Sequence, residues 1–71
     1  MDIKIGGKYQ HYKGNFYQVL TLARHSENHE TLVIYRALYG DETVWARPAH
    51  MWNETVDVKG KPVARFTLIA E

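Results

Sequence analysis

The chain contains no cysteine, which removes disulfide staples, thiolate nucleophiles and every cysteine-type zinc site, and fits a reducing compartment. Long apolar runs are absent too. No segment approaches the length of a membrane helix, and Met1-Asp2-Ile3-Lys4-Ile5-Gly6-Gly7 lacks the apolar stretch of a signal peptide. A cytoplasmic protein with no membrane partner is therefore expected. An excess of charge is also missing: nine Lys and Arg against eight Asp and Glu leave a formal net charge of +1. That is far from the strongly basic balance of proteins whose binding is dominated by phosphate contacts. Finally, 71 residues leave no room for a second hydrophobic core, so one domain spanning 1–71 is expected. A domain this small buries only about 60% of the surface its unfolded chain exposes, so it needs an efficient core, a partner or self-association.

What is present is ordinary globular material, 45% hydrophobic and 24% charged, with 13% aromatic residues as the natural core investment. Val, Ile, Thr, Tyr, Phe and Trp make up about a third of the chain and no window repeats near 3.6, so strands are the expected element. Gly7 to Tyr12 reads as a first strand, with Lys13-Gly14-Asn15 as a tight turn. Asn15 to Arg24 and Thr31 to Tyr39 read as two longer strands around a polar loop, His25 to Glu30. Neither alternates cleanly, which is expected of curved strands that serve two packed surfaces. Gly40-Asp41-Glu42 makes a turn before a fourth strand, Thr43 to Arg47. Pro48 to Trp52 is a single helical or 3-10 turn, with Pro48 suited to a first-turn position. Asn53 to Val58 and Pro62 to Leu68 then flank Lys59-Gly60-Lys61 as a closing hairpin. Five or six short strands with one helical turn predict an all-β fold, a small SH3-like barrel, with an OB-like barrel as the competitor.

Several ordered segments carry a family resemblance: Gly7-Lys8-Tyr9-Gln10-His11-Tyr12-Lys13-Gly14, Ala23-Arg24-His25-Ser26-Glu27, Val33-Ile34-Tyr35-Arg36-Ala37-Leu38-Tyr39, Trp45-Ala46-Arg47-Pro48 and Arg65-Phe66. Together they resemble the bacterial domain of unknown function family 1653, over nearly the whole chain from Gly7 to Phe66. The resemblance implies an SH3-type barrel of bacterial origin and no established activity or site residues.

The residues themselves offer few catalytic constellations. His25-Ser26-Glu27 has the residue types of a hydrolase triad, but neighbours in an extended loop diverge, and no nucleophile elbow or Gly-rich oxyanion loop accompanies them. His25 and His29 have a spacing that suits a metal only on a helical face, which this loop does not supply. No cofactor and no metal site are expected. Tyr35, Trp52 and Phe66 read as core, whereas Tyr9, Tyr12 and Trp45 are the candidates for exposed stacking residues. The arginines are sharper. Arg24, Arg36 and Arg47 sit within or at the ends of apolar strands, where a guanidinium must reach a surface or pair with a carboxylate such as Glu27, Glu54 or Asp57. Unpaired arginines sharing a face bind anions bidentately.

The leading expectation is a non-catalytic binding module with Tyr9, His11, Tyr12, Arg24, His25, Arg36, Trp45 and Arg47 as ligand-binding candidates for an anion such as a nucleotide or nucleic acid. The alternative is an interaction module that meets a protein partner or forms a homodimer through an exposed sheet edge. A small enzyme using His11 or His25 beside Arg24 comes third, because no nucleophile, metal or cofactor motif accompanies the histidines.

Overall fold

The structure, a computed structural model, describes residues 3–71. Strand β1 (Lys8–His11) turns into β2 (Phe16–Arg24) through Gly14, whose φ of 109° lies in a region that disfavours any residue with a Cβ. β3 (Thr31–Ala37) and β4 (Val44–Pro48) follow. Pro48, with φ −56°, ends β4 and starts α1 (Ala49–Trp52), a single turn closed by the Asn53 N–H donating to the Ala49 carbonyl at 3.1 Å. The chain then forms β5 (Thr55–Val58), β6 (Lys61–Ala64) and β7 (Phe66–Ala70).

Five strands make one antiparallel sheet in the order β4-β3-β2-β1-β7, while β5 and β6 pair only with each other. Residues opposite one another across an antiparallel pair share a face, so the register sorts the side chains. Tyr9 faces Tyr17, Val19 faces Tyr35, and Tyr35 and Val33 face Trp45 and Arg47, with His11 opposite Phe66. These residues line the inner face. Lys8, Gln18, Arg36 and Val44 stand in one row on the other side. A register shift between Val19 and Thr21 explains why β2 does not alternate cleanly: beyond the bulge, Leu22 has moved to the inner face opposite Val33.

Tyr9, Val19, Val33, Tyr35, Trp52 and Phe66 form the buried cluster on that inner face. Trp52 reaches it from α1, stacked on Phe66 with ring centroids 3.7 Å apart and planes 4° from parallel. Its edges meet Tyr9 and Tyr35 at 5.3 and 4.9 Å. Such aromatic pairs contribute about 0.5–1.5 kcal/mol each beyond the area they bury, which matters in so small a core.

The mostly β composition with one short helix agrees with the sequence reading, but the SH3-like barrel does not form. Among the described residues β4 and β7 are the two edges of an open sheet and nothing pairs them. The physical reason lies in α1 and in Arg65. Trp52 fills the hollow of the curved sheet, so the aromatic core is covered without closure. Arg65 breaks the expected last strand in two: its N–H donates to the Glu54 carbonyl at the root of the β5–β6 hairpin, and its carbonyl accepts from Tyr12 N–H at the end of β1. The sequence after it therefore returns to β1, and the hairpin that could have bridged the edges stands alone.

Candidate anion-binding groove

At one end of the inner face the core opens into a cleft of about 240 Å³ lined by Tyr17, Tyr35, Tyr39, Trp45 and Arg47. The alternation of β3 and β4 puts Trp45 and Arg47 beside Tyr35, and Tyr17 reaches the same place from β2. Tyr39 follows the end of β3 and its hydroxyl lies 2.8 Å from that of Tyr17.

Arg47 is half-buried, its Nε donating to the Tyr35 hydroxyl at 3.4 Å and its guanidinium carbon 5.6 Å from the Phe66 ring centre. Aromatic contacts orient the guanidinium without neutralising it. Among the described residues the arginine makes no ion pair; Glu71 pairs with Lys4 and Glu54 with Arg65, and Glu30 lies 3.3 Å from His50 Nδ1. Burial, then the hydrogen bond to Tyr39, pushes the Tyr17 hydroxyl up to about 12, so it stays neutral. His11 packs edge-on against Phe66 at 5.0 Å, and its Nδ1 accepts from Lys13 N–H at 3.2 Å. Burial, followed by the charges of Arg47, Arg65 and Lys13, lowers its pKa below 6.5. At neutral pH the ring is therefore uncharged with its proton on Nε2. Every polar side-chain group lining the cleft can donate a hydrogen bond, and none is a carboxylate.

The structure separates the eight residues that the sequence nominates. Trp45, 53% exposed, and Arg47 line the cleft, and His11 borders it through Tyr17, whose ring centre lies 6.3 Å from its own. Tyr12 stacks at a tilt on His11 near the same end. Tyr9, nominated as an exposed residue, is instead buried at 5%, because β1 turns it inward against Trp52 while its hydroxyl accepts from Lys4 N–H. Arg24 and His25 lie at the far end of the β2–β3 hairpin, about 20 Å along the strands from the Tyr17–Ala37 pair. Arg24 is spent there on the His29 carbonyl at 3.0 Å, and His25 Nδ1 accepts from Glu27 N–H at 3.1 Å. Ser26 donates to Glu27, so the three triad-like residues make no relay. Arg36 faces the opposite side of the sheet from Arg47. Tyr17, absent from the sequence-based site, has one signal in its period-two spacing from Val19.

Comparison with known proteins adds the lineage. The model of a family described as a protein of unknown function, DUF1653, matches residues 7–68. The chain belongs to the DUF1653 family. A crystal structure of a DUF1653 protein from Bordetella bronchiseptica is similar at 39% identity and a TM-score of 0.86, covering 97% of this chain and 90% of that one. No curated protein matches the chain. The DUF1653 assignment confirms the resemblance seen in the sequence and brings no ligand with it. Among the described residues no cluster of three His, Cys, Asp or Glu could hold a metal ion.

Proposed function

We propose that this chain is a binding module whose Arg47 groove takes an anionic ligand with a planar part, a nucleotide or a nucleic-acid terminus being the fitting chemistry. The observation that supports it is the Arg47 guanidinium, half-buried in an aromatic cleft with no carboxylate partner among the described residues. With Nε engaged by Tyr35, both terminal nitrogens remain for a bidentate contact to two oxygens of a phosphate. The Tyr17–Tyr39 pair adds a neutral hydroxyl donor, and the exposed face of Trp45 offers a planar group something to stack on. His11, uncharged at neutral pH, contributes no competing requirement for a second anion.

Amide-resolved NMR titration with pooled nucleoside monophosphates at low and moderate salt tests the reading. Shifts should centre on Tyr17, Tyr39, Trp45 and Arg47, weaken with salt, and diminish about tenfold or more in apparent affinity in Arg47→Ala, the loss expected for hydrogen bonds to a charged group. Arg47→Lys should recover little, since an ammonium lacks the planar fork. A flat titration at low salt, or binding indifferent to Arg47→Ala, removes the groove from consideration.

A further inference from the structure

We propose a second ligand surface, distinct from the Arg47 groove: the outer face of the five-stranded sheet, where Lys8, Gln18 and Arg36 with Phe16 receive single-stranded nucleic acid. The first observation is a charge segregation that the net charge conceals. All five strands of this sheet, β1 to β4 and β7, are free of Asp and Glu, while they carry Lys8, Arg24, Arg36 and Arg47. Arg47 serves the inner face and Arg24 is held by the β2–β3 loop, which leaves Lys8 and Arg36 for the outer one.

Register sets their geometry. Lys8 lies opposite Gln18, Gln18 opposite Arg36 and Arg36 opposite Val44, so one row crosses four strands. With strands about 4.8 Å apart, the two cations start from backbones about 10 Å apart, flanking the Gln18 amide. Among the described residues neither makes an ion pair. Of the rim carboxylates, Asp41 accepts from the Thr43 hydroxyl at 2.5 Å and Glu71 pairs with Lys4 at 3.4 Å, while Glu42 makes no ion pair with Lys8 or Arg36 among the described residues.

The second observation is aromatic. Phe16 is 37% exposed on this face, and the Lys8 ammonium lies 4.8 Å from its ring centre. A cation resting on a ring is the arrangement that a stacked base and its phosphate displace together: the base takes the ring and the ammonium moves to the phosphate. An acidic peptide would satisfy the two charges but has no planar group for Phe16. The observations therefore favour a single strand over an acidic protein segment.

The test follows amide resonances during titration with a single-stranded oligothymidylate of eight nucleotides, with a nucleoside monophosphate and with an oligoglutamate peptide as comparisons. The oligomer should shift Lys8, Phe16, Gln18 and Arg36. The double variant Lys8→Ala, Arg36→Ala should bind it at least tenfold more weakly and flatten its log K against log salt by about 1.4, roughly 0.7 for each lost phosphate contact. Phe16→Leu, which keeps bulk but removes the ring, should cost about tenfold. Both variants should keep a native spectrum and the parent's response to the monophosphate. The proposal is overturned if the oligomer shifts only groove residues, if its binding disappears with Arg47→Ala alone, if it produces no shifts at low salt, or if oligoglutamate binds this face as tightly. Its failure is distinguishable from failure of the groove: a silent monophosphate with outer-face shifts from the oligomer removes the groove reading and supports this one.

Discussion

His11 shows how one side chain inherits its chemistry from its neighbours. Burial against Phe66 and Tyr17 and the nearby charges of Arg47, Arg65 and Lys13 all disfavour its protonated form, and the Lys13 N–H occupies the nitrogen that a second proton would need. Because its folded pKa lies below 6.5, the unfolded chain binds more protons as the pH falls through 6.5, and stability must drop with it. The contribution is complete above 6.5 and declines until the pH has passed below the lowered folded value. His11→Asn keeps an acceptor for Lys13 N–H and removes the titration. Urea midpoints measured at pH 7.5 and 5.5 should therefore fall less for this variant than for the parent, and an equal fall would assign the pH dependence elsewhere.

At the level of elements, the β5–β6 hairpin is held by its turn more than by packing. Lys59 and Gly60 have φ of 52° and 83°, both positive, as the two central residues of a type I′ turn require. Glycine adopts this conformation freely, whereas lysine is strained in it and asparagine is well suited. Lys59→Asn should stabilise the hairpin by about 0.5 kcal/mol, read as an approximately twofold slower hydrogen exchange at Val58 and Lys61. An unchanged or faster rate would show that the turn is not what limits the hairpin. The bulge in β2 is the other element with consequences, since it moves Leu22 onto the inner face opposite Val33 and lets one long strand follow a curved sheet.

Over the whole molecule, the open sheet and the lone hairpin imply unequal stability. Val19 and Val33 are fully buried in the aromatic cluster, whereas every residue of β6 is exposed and β5 half-buries only Val56. A two-stranded hairpin with so little covered surface is marginal by itself. Its amides, Thr55 to Ala64, should exchange through local opening well before those of Val19 and Val33, which require global unfolding. Native-state exchange at low denaturant checks this, and a single common opening energy would show that the hairpin is welded to the sheet. Strand alternation keeps the two faces apart and places Arg36 and Arg47 on opposite sides of the sheet.

Local chemistry was legible in the sequence: the β-rich composition, the glycine turns, a helical turn near Pro48 to Trp52, the core roles of Tyr35, Trp52 and Phe66, and the family itself follow from residue types and their order, although Pro48 caps that turn from the end of β4 rather than opening it. These depend on intrinsic propensity and on neighbours along the chain. What only the tertiary structure decided is register and partnership. The break at Arg65, the return of β7 to β1 and the plugging of the hollow by Trp52 left the sheet open, and the parity of β3 and β4 put Arg36 and Arg47 on opposite sides. The same register buried Tyr9 and brought Tyr17 to the groove. Such outcomes depend on which strands pair and where a bulge falls, and one residue of offset moves every side chain to the other face, so spacing along a single strand could not reveal them.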